Sequence, residues 1–388
     1  MTNTTHPATA YIRAVGNTPF GRHEGHSALD LMARAATQAL NGAQLRRSDI
    51  DGLLCGYATT LPHLMLSTLF SERFALQPRY AHSLQLGGAS GAAMLDLARE
   101  LVRAGRCRHV LVVAGENRLS GQSRDSAIQT LAQVGDADYE VPNGASVPAY
   151  YGLLASEYLH RTGTTQADLA ELAVLMRSNA ARHPDAHLRT PITVAEVLAA
   201  KPIAAPLGLL DCCPISDGAM AMVVSTEPGE HARIAIAGTG QAHRHQHLTA
   251  MADVMQCGAG QAAQQAFAEA GLALADVDYL GIYDSFTITL AMLLEEIGFA
   301  PRGGAAARVR AGDFSPTGVL PLNTHGGLLS FGHCGVAGGM AHVAEAWRQM
   351  AGQAGTRQLP APPRHAFVHA DGGVMSSHVS LILSREAA

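Results

Sequence analysis

A chain of 388 residues with 47% hydrophobic side chains has enough apolar material for a large core, which excludes disorder as its main state. The formal net charge is -5, and acidic and basic residues are scattered through both halves. No basic stripe therefore points to a nucleic-acid partner. Lys201 is the only lysine, so it is also the only candidate for chemistry that needs a side-chain amine.

The cysteines show neither a Cys-x-x-Cys pair nor regular spacing, which favours a reduced cytoplasm over a secreted disulfide framework. Residues 1–14 are polar, and no apolar run reaches the roughly 18 residues of a membrane-spanning helix. We therefore expect a cytoplasmic protein without a membrane segment. The six cysteines are Cys55, Cys107, Cys212, Cys213, Cys257 and Cys334.

The predicted elements repeat once along the chain. Residues 27–40 carry apolar side chains at helical spacing and lead, through an Asp-x-Asp turn, into an apolar strand at 52–57. Residues 260–270 form a second alanine-rich helix, which leads through another Asp-x-Asp turn into a strand at 279–283. The pattern predicts an α/β protein made of two similar halves.

A second pair of units agrees with this duplication. The glycine-rich turn 87–91 precedes a helix and a strand at 110–113, and the turn 335–339 precedes a helix and a strand at 366–369. Free N–H groups and the helix dipole at such turns favour a developing negative charge. We expect the two turns to face each other across a pseudo-twofold axis.

The region between the halves is richer in turns, and it contains predicted helices at 149–160 and 166–182. We interpret it as an inserted loop domain that covers the substrate. The predicted boundaries are 1–118 plus 216–228 for the N-terminal half, 119–215 for the inserted domain and 229–388 for the C-terminal half.

Three short motifs carry candidate chemistry. His333 lies among glycines in the stretch 323–335, where an imidazole can exchange a proton close to an approaching ligand, although such a turn can also serve packing alone. Tyr283 ends a strand in the sequence Tyr-Asp-Ser-Phe, and by itself it also fits a core position. Gly372 follows the predicted strand at 366–369 and can offer an N–H to an oxyanion.

Taken together and in order, the motifs at 87–91, 211–219, 283–286, 323–335 and 369–373 resemble those of the thiolase superfamily. The resemblance spans almost the whole chain and is to the branch that contains sterol carrier protein and bacterial thiolase-like proteins. It implies the thiolase fold, with two βαβαβαββ halves in five α-β-α-β-α layers and an inserted loop domain. It also implies an acyl-CoA substrate, a homodimer and a small zinc-ribbon and oligonucleotide-fold partner protein.

The sequence departs from an ordinary thiolase at the residues that form the acyl-enzyme. Gly88 stands where the family has its nucleophilic cysteine, and the second cysteine, which maps near Ala370, is also missing. Tyr283 stands in the strand-end motif where relatives carry asparagine or histidine. Of the usual catalytic side chains, only His333 remains.

A C–C bond beside a thioester can be made or broken without an acyl-enzyme, provided that enolate charge is stabilised and a proton is moved. We therefore predict an aldol or retro-aldol step with His333 and Tyr283 as catalytic residues and the N–H groups of Gly88 and Gly372 as oxyanion donors. A Schiff-base route through Lys201 is not expected. Further candidate substrate contacts are Asn323, His325, Cys334, Ser90 and Asp371.

Two other functions stay open from the sequence. Acyl transfer through a substitute nucleophile would use Ser90 or Cys334, and a non-catalytic subunit would need neither. We expect no metal and no tightly bound cofactor, with coenzyme A present as part of the substrate. The alternating histidines 243, 245 and 247 are interpreted as a solvated strand end. Arginines for the coenzyme A phosphates are available at positions 177, 182 and 189.

Overall fold

The computed structural model describes residues 8–144 and 146–387. The N-terminal half alternates strands and helices, as the sequence predicts. Its buried strands are continuously apolar because helices cover both of their faces. Its elements are β1 (Tyr11–Asn17), α1 (Ala28–Ala43), β2 (Gly52–Gly56), α2 (Leu66–Phe74), β3 (Tyr80–Leu84), α3 (Ser90–Arg103) and β4 (His109–Asn117).

The chain then leaves the sheet and builds a mainly helical inserted region before the next long strand returns beside β4. The elements of this passage are α4 (Arg124–Ala132), α5 (Val147–Thr162), α6 (Gln166–Ala180), α7 (Val194–Leu198), β5 (Pro202–Ala204), β6 (Leu207–Gly208) and the returning strand β7 (Asp217–Ser225). The strand β7 runs antiparallel to both β1 and β4, with Gly115 opposite Ala219.

The C-terminal half repeats the pattern with one change. Its elements are β8 (Arg233–His243), α8 (Ala259–Ala270), β9 (Tyr279–Ile282), α9 (Thr287–Ile297), α10 (Ala305–Arg310), α11 (Gly327–Ser330), α12 (Val336–Met350), β10 (His365–Gly372) and β11 (Ser377–Glu386). The third strand of the repeat is reduced to one bridge between Leu280 and Leu322. The flanking Pro321 has no N–H, and Asn323 has a left-handed φ of 43°, so the pairing cannot extend.

In the described residues the main sheet has nine strands in the order β3-β2-β4-β7-β1-β8-β11-β10-β9. Within the described ranges, the two half-sheets join only where Tyr11 of β1 pairs with Ala235 of β8. The helices α3 and α12 pack against each other and contact strands of both half-sheets, while α1 and α8 cover the outer faces. The layers are therefore α-β-α-β-α, and the fold class predicted from the sequence is confirmed.

Close helix contact positions the two glycine turns. A Cβ on Gly91 of α3 would lie 2.5 Å from Met340 Cγ of α12, and a Cβ on Gly339 would lie 2.7 Å from the carbonyl oxygen of Gly88. The N-terminal turns of the two central helices therefore meet in the middle layer. None of the helices in the described part of the chain combines the length and the apolar character needed to span a bilayer.

The end of the chain differs from the sequence expectation. The sequence predicts a strand at 366–369 with the glycines at 372–373 after its end. Instead, β10 continues to Gly372, and Asp371 pairs with His378 of β11. The last strand, β11, supplies backbone partners that prolong β10, so Gly372 is a strand residue.

Candidate functional site

Tyr283 and His333 meet at the centre of the molecule. Tyr283 follows β9 directly, and its backbone N–H donates to the carbonyl oxygen of His369, 3.0 Å away. His333 lies between α11 and α12, and the backbone of residues 214–216 holds it on both sides. The Tyr283 Oη is 2.9 Å from His333 Nε2. The structure thus brings together the two side chains predicted to be catalytic.

Backbone contacts fix the proton on the imidazole. The N–H of Gly335 donates to His333 Nδ1 over 3.2 Å, so the neutral ring carries its proton on Nε2 and donates it to Tyr283. The phenol proton of Tyr283 is then free for a ligand. Burial, with a smaller contribution from Arg118, lowers the pKa of His333 to about 3. Burial raises the pKa of Tyr283 well above its usual value, so both groups are neutral near pH 7.

Tyr283 occupies the space that a side chain at position 88 would need. A Cβ built on Gly88 would lie 2.5 Å from both Tyr283 Cζ and the carbonyl oxygen of Asp371, and still closer to the phenol oxygen. Real Cβ atoms do not approach other atoms so closely. The glycine at the position of the thiolase nucleophile and the tyrosine at the strand end are therefore sterically linked.

The two predicted oxyanion segments lie against each other. Gly87 has a φ of +55°, and a Cβ there would lie 2.7 Å from the backbone nitrogen of Gly373. Gly372 has equally little room, because a Cβ would clash with the carbonyl oxygen of Leu86. No acceptor in the described residues bonds to the N–H of Gly88. That N–H is therefore free to meet a negatively charged oxygen.

Neither candidate substitute nucleophile is activated. The Ser90 hydroxyl donates to the carbonyl oxygen of Gly87 and accepts from the N–H of Leu86, both over 2.7 Å. It thereby fastens the turn before α3. Cys334 is completely buried, and burial raises the pKa of its thiol far above the usual value, which opposes formation of a thiolate. These contacts disfavour acyl transfer through either residue.

Asp371 links the site to the inserted region. The Tyr151 hydroxyl, on α5, donates to Asp371 Oδ2 over 3.2 Å, while the Tyr151 ring stacks on Phe286 with centroids 4.2 Å apart. Burial raises the pKa of Asp371 well above its usual value. Its other carboxyl oxygen has no hydrogen-bond partner among the described residues. Asp371 thus adds a buried carboxyl group close to Gly88.

Asn323 has a positioning role. Its amide nitrogen donates to the carbonyl oxygen of Ile282 over 2.7 Å, and its amide oxygen accepts from the Ile282 N–H over 2.9 Å. These two bonds fix the strand that ends at Tyr283. His342 Nδ1 also lies 3.2 Å from the Asn323 amide oxygen, and the His342 ring lies 6.1 Å from the Tyr283 ring.

His325 is buried behind the site. Its ring lies 4.9 Å from that of His342 and 5.4 Å from that of Phe331. Neither ring nitrogen has a partner in the described residues. Burial lowers the pKa of His325 to about 3. Asp284 holds the same loop, because its carboxylate accepts from the backbone N–H of Leu328 over 2.6 Å.

Sequence reasoning missed four residues around the pair: Tyr151, Glu116, Arg118 and His342. His342 and Tyr151 lie inside helices, without a motif around them. Glu116 and Arg118 left a readable signal, since charged residues directly follow the apolar run at 110–115. The strand β4 continues to Asn117, which places both residues at the end of the sheet nearest to His333.

The other charged candidates lie elsewhere. Arg177 is buried and donates to Ser330 Oγ over 2.9 Å, while Arg182 and Arg189 bond to backbone carbonyl oxygens. The exposed ring of His243 contacts Ser377 and Gln241. Within the ranges that the structure describes, no group of three or more histidine, cysteine or acidic side chains is arranged to hold a metal ion.

Comparison with protein families agrees with this geometry. Residues 10–228 match the family "Thiolase, N-terminal domain", and residues 240–385 match "Thiolase C-terminal domain-like". The chain belongs to the thiolase superfamily. The prediction of a thiolase-superfamily enzyme is confirmed.

Three relatives cover nearly the whole thiolase-like chain. The acetyl-CoA acetyltransferase of Methanothermobacter thermautotrophicus is 28% identical over 96% of this chain and 99% of its own. The steroid side-chain-cleaving aldolase of Thermomonospora curvata is 31% identical over 97% of this chain and 98% of its own. The solved structure of the "Ltp2-ChsH2(DUF35) aldolase" is 30% identical, covers 98% of this chain and 99% of its own, and superposes with a TM-score of 0.84.

Proposed function

We propose that this protein cleaves or forms the C–C bond beside an acyl-CoA thioester by a retro-aldol or aldol route, with Tyr283 and His333 as catalytic residues. One observation carries the proposal: the Tyr283 phenol occupies the space that a nucleophile at Gly88 would need. A phenol at that position can move a proton, whereas an acyl-enzyme has no side chain on which to form. The likeness to the steroid side-chain-cleaving aldolase supports the same route.

The retro-aldol step balances without a redox partner. The bond between Cα and Cβ breaks, its electrons move to Cα and the thioester oxygen, and the β-hydroxyl becomes a carbonyl as it loses its proton. The neutral Tyr283 phenol gives its own proton to Cα, and the resulting phenolate takes up the proton from the β-hydroxyl, so the phenol is restored. The hydrogen bond from His333 Nε2 stabilises the phenolate while the proton is in transit, and the Gly88 N–H stabilises the enolate oxygen.

Coenzyme A belongs to the substrate in this proposal, and no separate cofactor takes part. We further propose that the acyl group is bulky and mainly apolar, as the name of the T. curvata relative indicates for its own substrate. We also expect a homodimer in the cytoplasm. In addition, we expect a small partner protein of the DUF35 kind, as the name of the similar aldolase structure indicates for that assembly. Molar mass measured by light scattering, with and without the chain encoded next door, tests both assemblies.

The test uses Tyr283→Phe, which removes the proton but keeps the ring. With a β-hydroxyacyl-CoA substrate we expect kcat to fall about a hundredfold or more, because an acid-base group contributes about that much. Tyr279→Phe is the matched control, since Tyr279 lies four residues earlier on β9 and contacts Thr324 instead of His333. Unchanged turnover in Tyr283→Phe would overturn the proposal.

Two further measurements separate the proposal from its alternatives. Intact-mass spectrometry after incubation with an acyl-CoA should show no covalent adduct, and a stable acyl adduct would instead favour acyl transfer. Calorimetric titration with coenzyme A should show binding. A chain that neither binds coenzyme A nor turns over substrate, alone or with its partner, would be a non-catalytic subunit.

A further inference from the structure

Arg118 is a buried cation that has no hydrogen-bond or ion-pair partner in the part of the chain that the structure describes. The side chain follows β4 and is 8% exposed. Four arginines are buried in the described residues, and three of them bond to the protein: Arg99 to Glu269, Arg177 to Ser330 and Arg357 to Glu345. No described residue accepts a hydrogen bond from Arg118, whose fully buried Nε is among the unpaired atoms.

Its neighbours on the chain fix Arg118 beside the catalytic pair. The N–H of Leu119 donates to Asp217 Oδ1 over 2.6 Å, and the residue before Asp217 donates its own N–H to the carbonyl oxygen of His333. On the other side, Glu116 lies so close to Gly335 that a Cβ there would clash with its carboxylate. The segment 116–119 therefore borders the turn that carries His333.

The electrostatic effects of Arg118 also place its side chain beside Tyr283 and His333. The positive charge of Arg118 contributes to the lowered pKa of His333, and it opposes the rise that burial imposes on the pKa of Tyr283. The Arg118 charge also opposes the rise that burial imposes on the pKa of Glu116, but no ion pair joins the two residues in the described structure. One Glu116 carboxylate oxygen accepts from Thr59 and the backbone of Thr60, and the other has no hydrogen-bond partner among the described residues.

A buried guanidinium that is neither paired nor hydrogen-bonded lowers the stability of a protein, so such a group is typical of a ligand site. Five N–H donors in a rigid fork suit a planar anion with two acceptor atoms. The region near Tyr283 and His333 receives the acyl end of the substrate in the proposed function. The coenzyme A phosphates belong to the opposite end of such a substrate.

We propose that Arg118 binds an anionic oxygen at the acyl end of the substrate. The inference rests on the proposed function for the identity of the substrate. Two sources supply the same chemistry: a free carboxylate carried by the acyl chain, or the enolate oxygen that forms on the thioester during C–C cleavage. A guanidinium can bind a carboxylate through parallel N–H groups to both of its oxygens, and it can bind an enolate through N–H groups directed at the single charged oxygen.

The experiment compares Arg118→Met with the wild-type protein and with Arg34→Met, an exposed position on α1 in the outer layer. Calorimetry measures the affinity for succinyl-CoA, butyryl-CoA and free coenzyme A. Deuterium exchange at Cα of butyryl-CoA measures enolate formation, and this readout does not require cleavage. Thermal unfolding reports whether Arg118 contributes to the fold.

We expect Arg118→Met to unfold at the same or a higher temperature, since no protein hydrogen bond is lost. A carboxylate ligand predicts that affinity for succinyl-CoA falls about tenfold or more while that for butyryl-CoA is unchanged. An enolate ligand predicts that both affinities are retained while Cα exchange slows about tenfold or more. Arg118→Lys should recover part of either loss because it restores the charge.

Three results would overturn the inference: a lower unfolding temperature, an equal loss of affinity for free coenzyme A, or no change in binding and exchange. The proposed function fails separately. If the wild-type protein exchanges Cα protons or discriminates succinyl-CoA through Arg118 but never cleaves a β-hydroxyacyl-CoA, the anion site stands and the retro-aldol reaction is excluded.

Discussion

The N-terminal turns of α3 and α12 are equivalent by the internal repeat, yet they contribute different things to the site. The turn before α3 presents only backbone, because Gly88 has no side chain and the Ser90 hydroxyl is tied to the turn itself. The turn before α12 presents an imidazole, His333, which is held by backbone contacts on both sides. The turn before α3 supplies space and a backbone N–H, and the turn before α12 supplies the side chain.

The difference shows how a thiolase fold without both cysteines still brings an imidazole and a phenol together. Space left at Gly88 is filled by the phenol of Tyr283, which comes from a strand of the opposite half. The phenol then reaches His333 across the middle layer. In the proposed function, the two turns therefore act on the substrate through a residue that belongs to neither of them.

Restoring a side chain to the α3 turn should have the largest effect. In Gly88→Cys, the new Cβ would collide with the Tyr283 phenol and displace it from His333. We expect turnover to fall about a thousandfold, within the range for loss of an acid-base group, and the free energy of unfolding to fall by about 1–3 kcal/mol through overpacking. Steady-state kinetics and urea unfolding measure the two effects.

The matched control is Gly42→Ala in α1, where the nearest atom to the new Cβ is 3.3 Å away and the unfolding free energy should change little. The double variant Gly88→Cys with Tyr283→Ala should regain part of the lost stability, because the clash with the phenol is gone while the one with the carbonyl oxygen of Asp371 stays. Full activity in Gly88→Cys alone would mean that Tyr283 and position 88 do not compete for space.

Changing the α12 turn tests its side chain. His333→Phe removes the donor to Tyr283 and should lower kcat about a hundredfold, whereas His333→Gln keeps an N–H donor and should lose about tenfold or less. Because the pKa of His333 is lowered to about 3, the wild-type protein should show no loss of kcat from imidazole protonation between pH 6 and 8. An acidic limb near pH 6.5 that His333→Gln removes would contradict this protonation state.

Much of the fold is readable from the sequence because its signals are local and repeated. Helical spacing and buried apolar runs predict the layered halves, and glycine turns predict where the central helices begin. The extension of β10 is not readable in this way, since it depends on pairing with β11. Likewise, strand pairing at Leu322 is limited to a single bridge by the backbone of its two chain neighbours, which is known only from the structure.

The site residues that lie in a recognisable motif could be predicted from the sequence. Those that are brought to the site only by packing could not. Tyr283 and His333 stand in recognisable stretches, and their 2.9 Å contact brings the two stretches together. The sequence does not show why position 88 is a glycine, because the atom that excludes a side chain there comes from another strand. Arg118 follows an apolar run, but only the structure reveals that the side chain is buried and has no partner among the described residues.

The pH dependence of stability also tests the difference between the two turns, because buried histidines lie on the α12 side. Burial lowers the pKa of His325 to about 3, so between pH 3 and 6.5 the unfolded chain binds a proton that the folded chain does not. Stability is fully present above pH 6.5 and falls as the pH drops. His325→Phe should therefore reduce the loss of unfolding free energy between pH 7.5 and 5.5 by about 1 kcal/mol.

Urea unfolding at both pH values measures this difference. At pH 7.5, His325→Phe should be close to neutral, because neither nitrogen of the ring has a partner to lose among the described residues. The exposed His160→Phe is the control and should leave the pH dependence unchanged. The interpretation fails if His325→Phe keeps the full wild-type pH dependence.

The smallest effect is expected at Ser90, and it separates the two roles that a serine in the α3 turn can have. If Ser90 stabilises the turn, its hydroxyl does so through two hydrogen bonds, and Ser90→Ala should lower the free energy of unfolding by about 1 kcal/mol. As a nucleophile it would carry the acyl group, and Ser90→Ala would then abolish turnover. Because both bonds go to the backbone of the turn, we expect kcat within about threefold of wild type. Parallel kinetics and urea unfolding on Ser90→Ala therefore decide whether the α3 turn contributes only backbone to the chemistry.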